Sequence, residues 1–311
     1  MAEAKSFDLI VLGAGPAGLT AGLYAARARR RVAILDTGTV GGQTVLTYKV
    51  ANYPGVEDVS GRELSQTMLA QAKHFGCEVK PFARIDSVHL QDTDKSVTLK
   101  NGTIYTAPTV VIATGGVPRQ LGVEGETEFF GQGISYCATC DGDFFTDRPI
   151  AVVGGGNSAL EEANSLSEYA SSVTVIHEFD CFQAEPHLVA EAEANPKIHF
   201  LMNQAVEAFE GSPALSAVRS RSKEDGTVHE TGIDGVFIFI GYVPNSSSFE
   251  GQVAMNERGE ILTDSGLATD VPGVFAAGDV RDKRYRQITT AVSDGTVAAL
   301  SALSYLAEGS N

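Results

Sequence analysis

Cys137 and Cys140 stand either side of two residues in SYCATCDGDFF, residues 135–145, and Asp141 follows the second sulfur directly. Three chemistries use such a pair. A metal clip needs two further ligands at similar spacing, but Cys77 and Cys181 are isolated and His177 and His187 form no finger-like pattern, so no metal is expected. A structural staple across so short a loop would restrict the unfolded chain very little. The redox reading remains, in which the pair cycles between dithiol and disulfide and its thiolate fraction sets its reactivity.

Such a pair needs a source of electrons, and two repeats point to one. Residues 7–36, FDLIVLGAGPAGLTAGLYAARARRRVAILD, run from an apolar stretch through Gly13, Gly15 and Gly18 into a helical pattern, then into a second apolar stretch closed by Asp36. The pattern predicts strand, tight turn, helix, strand and acid. Small residues there let the backbone approach a pyrophosphate, the helix start offers free N–H groups, and the acid accepts from a ribose hydroxyl. Residues 149–178 repeat the plan with Gly154, Gly156, Ala159 and Glu178. Each fold closes on an apolar strand running into glycine, at 109–116 and 235–245, and a third such strand ends at Gly278 and Asp279. Alternating stretches between Lys80 and Thr106, with a turn at Asn101-Gly102, predict an antiparallel hairpin region. Residues 60–76 and 289–309 have the apolar spacing of core-facing helices. The fold class is α/β, with two Rossmann-like dinucleotide-binding domains, each with a small antiparallel element, joined by hinges near Gly116 and Tyr242.

A chain of 311 residues with 43% apolar composition can build about two cores. Its apolar runs around Val110 and Val236 fall far short of the roughly 18 residues of a membrane span, and it opens with Glu3 and Lys5 rather than a signal pattern. With 39 acidic and 23 basic side chains the formal charge is −16, which repels nucleic acid and anionic membranes. Neither is an expected partner. Four cysteines are too few for a secreted disulfide framework, so the expectation is a soluble, cytoplasmic protein. Cys77 and Cys181 read as free thiols with packing roles.

The chain resembles the low-molecular-weight thioredoxin reductases through GAGPAG at 13–18, GGQ at 41–43, NYPG at 52–55, CATCDG at 137–142, GDV at 278–280 and YRQ at 285–287. The resemblance implies an FAD domain of residues 1–116 plus 243–311, with a second nucleotide-type domain, 117–242, inserted and carrying the cysteines. It implies that Gly13, Gly15, Pro16, Ala17, Gly18 and Asp36 hold the ADP half of FAD. Gly42, Gln43 and Asn52 would lie toward the flavin, with Ala113, Thr114 and Gly115 at the end of the closing strand. Gly278 and Asp279 would meet the ribityl and pyrophosphate region, and Arg286 and Gln287 the isoalloxazine. The family more often has Glu at the position of Asp36, and either acid can accept from a ribose. Cys140 would be the sulfur nearest the flavin, Cys137 the one that attacks the substrate disulfide, and Asp141 the proton donor or acceptor, although an acid before Gly142 also suits a turn. Thioredoxin is the implied partner and a homodimer the implied assembly. Rotation about the two hinges would bring the cysteines alternately to flavin and substrate.

One departure matters. NADPH-using members carry HRRxxxR after the second strand of the inserted domain, where this chain reads HEFDCFQ, residues 177–183. Glu178, Phe179 and Gln183 replace the arginines, and a carboxylate repels a 2′-phosphate. The expected donor is therefore not NADPH. Reduced ferredoxin comes first, because the chain also resembles ferredoxin-dependent flavin thioredoxin reductases. NADH is next, with Gly154, Gly156, Ser158 and Glu178 as its site; otherwise that site is vestigial. RDKRYR, residues 281–286, is either a docking patch for an acidic ferredoxin or a solvated loop with one flavin-binding arginine, and RARRR, 27–31, reads as a structural helix end. An ordinary NAD(P)H-dependent reductase, a dithiol oxidase and a non-catalytic redox sensor are the competing readings.

Overall fold

The computed structural model describes residues 4–47, 50–57 and 59–308. Glu3 and Gly309, which bear on the sequence expectations at the two ends, lie outside them. The chain divides into two compact units, Met1–Val117 with Val243–Asn311, and Pro118–Tyr242.

In the first unit, five parallel strands are ordered Val274–Ala276, Thr109–Ile112, Leu9–Leu12, Val32–Leu35 and Glu78–Lys80. Strand side chains alternate between faces, and here both faces are covered. Leu9, Val11, Val32 and Ile34 pack in the core with the helices Pro16–Arg27, Gly61–His74 and Ile288–Glu308. Ile10, Leu12, Ala33 and Leu35 pack on the opposite side with Val97, Leu99 and Tyr105 from a second, four-stranded sheet. That explains why the strands read as continuous apolar runs rather than alternating ones. The second sheet contains the hairpin region anticipated between Lys80 and Thr106, as Ile85–His89, Lys95–Leu99 and Ile104–Ala107.

The second unit repeats the arrangement. Its parallel sheet is ordered Ile134–Ser135, Gly235–Ile238, Pro149–Val153, Ser172–Ile176 and Ile198–Leu201. Ile150, Val152, Val173 and Val175 pack with the helices Asn157–Ser167 and Pro186–Ala194, while Ala151, Val153 and Ile176 face Phe209 and Val218 of an antiparallel sheet formed by Gln204–Gly211, Leu215–Ser222 and Val228–Gly232. Among the described residues no helix is long and apolar enough to cross a membrane.

Ile34 is fully buried between the first sheet and its helices. Ile34→Ala should therefore cost about 2–5 kcal/mol, by lost transfer free energy plus a cavity. Urea unfolding followed by circular dichroism checks this.

Candidate functional site

Cys137 caps the one-turn helix Ala138–Asp141, and its carbonyl accepts from the N–H groups of Cys140 (3.3 Å) and Asp141 (3.2 Å). Residues three apart lie on the same face of such a turn, so the two sulfurs meet and form a disulfide, with their Cα atoms 5.3 Å apart. Ser135, on the edge strand Ile134–Ser135, locks the turn from below. Its hydroxyl donates to Asp141 Oδ2 (2.5 Å) and accepts from the Cys137 N–H (3.0 Å). Burial pushes the Asp141 carboxyl above the usual carboxylate range; the Ser135 hydrogen bond opposes this and Asp143 reinforces it. The turn thus holds a disulfide beside an acid with raised proton affinity. Ser135 lies two residues before Cys137, and a hydroxyl so close to the pair was the available signal for it.

In the first unit the chain leaves its sheet at Leu12 and turns at Gly13, whose φ is 106° and whose Cβ would strike the Ala113 carbonyl. The helix Pro16–Arg27 starts at Gly15 without a side-chain cap, so its first N–H groups and the positive end of its dipole face outward. Asp36 sits at the end of the neighbouring strand. Its Oδ2 accepts from the Ala14 N–H (2.5 Å) and its Oδ1 from the Gly38 N–H (2.7 Å), which fixes the carboxylate in the turn and still leaves each oxygen a second lone pair. Gly42 and Gln43 lie on the short turn Gly42–Leu46, brought alongside by the Gly41 N–H bond to the Ala14 carbonyl (2.8 Å).

Asn52 and Gln287 meet although 235 residues separate them, with Asn52 Nδ2 3.4 Å from Gln287 Oε1. Ala113 donates its N–H to the Leu12 carbonyl, and Gly115 accepts from the Asn245 N–H. Thr114 spends its hydroxyl on the Asn245 carbonyl (2.7 Å), and Asn245 Nδ2 returns a bond to the Thr114 carbonyl (3.0 Å). Gly278 donates its N–H to Asp294 (3.0 Å). The next residue, Asp279, has a buried Oδ1 with no hydrogen-bond partner, and burial pushes its carboxyl up against the opposing charges of Lys283 and Arg286. Arg286 pairs with the buried Glu260, whose second oxygen accepts from Asn256 Nδ2 (2.6 Å). Sequence reasoning named neither Glu260 nor Asn256, and no local pattern marks them.

The second glycine turn matches the first in register. Leu12 pairs with Leu35, and Val153 with Ile176; Gly13 and Gly154 each donate their N–H to the last residue of the neighbouring strand. That register places His177, not Glu178, at the position of Asp36. The His177 ring is buried, stacks on Phe182 and lies where a Cβ on Gly155 would be, and burial pushes its pKa down. Glu178 is exposed one residue further on, 3.0 Å from Lys223 Nζ, which also lies 5.1 Å above the Phe179 ring. Gln183 donates its N–H to the Gly155 carbonyl (2.9 Å), closing the loop over the turn. The helix Asn157–Ser167 starts at Gly156 without a side-chain cap, with Ser158 exposed in its first turn.

The model of the pyridine nucleotide-disulphide oxidoreductase family matches residues 7–295. The chain is 42% identical over 307 residues to a thioredoxin reductase of Peptoclostridium acidaminophilum, covering 96% of this chain and 97% of that one. It is 43% identical over 310 residues to a thioredoxin reductase of Bacillus subtilis, covering 99% and 97%. Its fold matches the crystal structure of thioredoxin reductase from Streptococcus pyogenes with a TM-score of 0.93 and 40% identity, covering 97% and 99%. The chain belongs to the low-molecular-weight thioredoxin reductase family.

Members of this family are FAD-binding flavoproteins, and FAD is the cofactor. The first unit fits it: an uncapped helix start suits a pyrophosphate, and Asp279 Oδ1, buried without a hydrogen bond and 3.8 Å from Lys283 Nζ, suits a hydroxyl donor. One sequence expectation is narrowed and one changes. Three of the four basic residues at 281–286 turn to acids, Arg281 and Lys283 to Asp294 and Arg286 to Glu260, while Arg284 is exposed over the Tyr285 ring. Charges turned inward to balance buried acids cannot steer an acidic partner. Nor does Cys181 have a packing role, since it is exposed, whereas Cys77 is buried and its thiol is pushed up to about 11.

Only a thiolate alkylates quickly. With the disulfide intact, excess iodoacetamide at pH 8 should label Cys181 and leave Cys77 unmodified, as read by peptide mass spectrometry.

Proposed function

We propose that the protein is a thioredoxin-disulfide reductase whose electrons pass through Cys137 and Cys140 to the disulfide of thioredoxin, and whose donor is not NADPH. The observation that carries this reading is the Cys137–Cys140 disulfide set on a helical turn beside Asp141, with Ser135 bonded to both Asp141 and the Cys137 N–H. In this reading Gly13, Gly15, Pro16, Ala17, Gly18 and Asp36 hold the ADP half of FAD; Asp279, Gln43, Asn52, Arg286 and Gln287 line the remainder. FAD, when bound, supplies the electron pair that opens the disulfide to a dithiol.

The remaining steps belong to the chain's own side chains. Cys137 Sγ, as the thiolate, attacks the thioredoxin disulfide, forming a mixed disulfide and releasing one thioredoxin thiolate. Cys140 Sγ then attacks Cys137 Sγ, restoring the internal disulfide and releasing the second thiolate. Each departing thiolate needs a proton. Asp141, with its raised proton affinity, donates it and recovers it from the next thiol. The homodimer, the cytoplasmic setting and rotation at the two hinges follow from the family resemblance.

As for the donor, Glu178, Phe179 and Gln183 offer no fork for a 2′-phosphate, and Lys223 is already paired with Glu178. The complete glycine turn at Gly154–Gly156 supports NADH, with Glu178 two residues beyond the end of the strand Ser172–Ile176. Reduced ferredoxin is the second reading. The loss of the arginines favours it, while the inward-turned cations at 281–286 count against docking there.

Anaerobic titration of the flavoprotein with NADPH, NADH and photoreduced ferredoxin, each followed by assay of thioredoxin reduction, tests this. We expect bleaching by NADH and none by NADPH at equal concentration. Bleaching by ferredoxin alone would make the second turn a relic, and fast reduction by NADPH would refute the donor reading. Asp141→Asn, which leaves the turn's shape intact, should slow thioredoxin reduction by about 10²–10⁴-fold, measured with saturating thioredoxin.

A further inference from the structure

Lys283 lies in the basic stretch that the proposed function leaves unused, yet its side chain is only 7% exposed. A lysine ammonium has three protons to place. Nζ lies 2.8 Å from Asp294 Oδ2 and 3.1 Å from Thr290 Oγ1 in the first turn of the helix Ile288–Glu308. It also lies 3.8 Å from Asp279 Oδ1, the buried oxygen that has no hydrogen bond. Asp294 Oδ2 in turn accepts from the Gly278 N–H at 3.0 Å and faces Arg281 Nη1 at 3.6 Å. One carboxylate, that of Asp294, therefore grips both the peptide that carries Asp279 and the ammonium that faces it.

Charge gives the arrangement its reason. Asp279 and Asp294 are matched by Lys283 and Arg281, and sequestered charges are tolerable only when balanced in this way. Without the ammonium, Asp279 would sit desolvated with only Arg286, itself paired with Glu260, to oppose its burial, and would be free to take a proton or to turn away.

We propose that Lys283 is a positioning residue of the FAD site, holding the Asp279 carboxylate ionised and aimed so that Oδ1 accepts from a hydroxyl of the ribityl–pyrophosphate region. It touches no reacting atom and acts through Asp279. The inference rests on the reading of Asp279 as an FAD ligand.

The test is the rate of FAD release from the purified holoenzyme after dilution, followed by the rise in free-flavin fluorescence, for wild type, Lys283→Met, Asp279→Asn and the double variant. Lys283→Met and Asp279→Asn should each release FAD at least about tenfold faster than wild type. Because Lys283 acts through Asp279, adding Lys283→Met to Asp279→Asn should change the rate by less than about twofold. An equal acceleration in both backgrounds, or no acceleration by Lys283→Met alone, overturns the proposal. If Lys283→Met does not fold, the comparison of Asp279→Asn with the double variant, in which both facing charges are gone, still decides. There a tenfold change overturns the proposal and an unchanged rate upholds it. Wild-type retention of FAD by Asp279→Asn would overturn the ligand reading and this inference with it, whereas failure of Lys283→Met alone leaves the ligand reading standing.

Discussion

A half-buried carboxylate beside a disulfide is the constraint on which the rest of this protein depends. Desolvation raises the proton affinity of Asp141, and the Ser135 hydroxyl moderates it. Ser135 can do so only because the edge strand Ile134–Ser135 pairs with Gly235–Ile238, which pairs with Pro149–Val153 at the centre of the second sheet. Packing of that sheet between helices and an antiparallel layer therefore fixes the acid, which in the proposed mechanism gives protons to the departing thiolates. A loop could present two cysteines; it takes a braced strand to keep an acid partly dry beside them.

The two units use one scaffold for different ends. Their glycine turns share strand register and uncapped helix starts, but diverge one residue past the neighbouring strand. In the first, Asp36 is tied by two backbone N–H groups and forms part of the turn. In the second, a buried His177 ring takes that place and the acid moves to Glu178, where Lys223 meets it. The same comparison separates the basic groups. Around Asp279 the cations are inward and balance acids, whereas at Glu178 a single exposed ion pair stands where a phosphate-binding member would keep arginines.

Much of this was legible beforehand, for a physical reason: dinucleotide turns depend on local spacing, so GAGPAG with its flanking strands and GGGNSA with its own declare themselves. The redox pair is likewise local. What could not be read were contacts set by folding over long separations. Glu260 reaching Arg286, Asn245 clasping Thr114, and Lys223 arriving from a distant hairpin leave no mark at their own positions. Glu178 stands 24 residues from Gly154 where Asp36 stands 23 from Gly13, and strand pairing shows that this extra residue puts His177 rather than the acid in register with Asp36. The basic stretch stayed open between two readings for a similar reason, because sequence shows charges but not the acids they face.

In the proposed mechanism the sulfurs have unequal roles, Cys137 outward to thioredoxin and Cys140 inward. The most direct measurement is to mix Cys140→Ser and, separately, Cys137→Ser with oxidised thioredoxin and identify any mixed disulfide by intact mass and peptide mapping. Unequal roles should give a stable one-to-one adduct through Cys137 in Cys140→Ser and little or none in Cys137→Ser. An adduct formed through Cys140 in preference, or none with either variant, would contradict it.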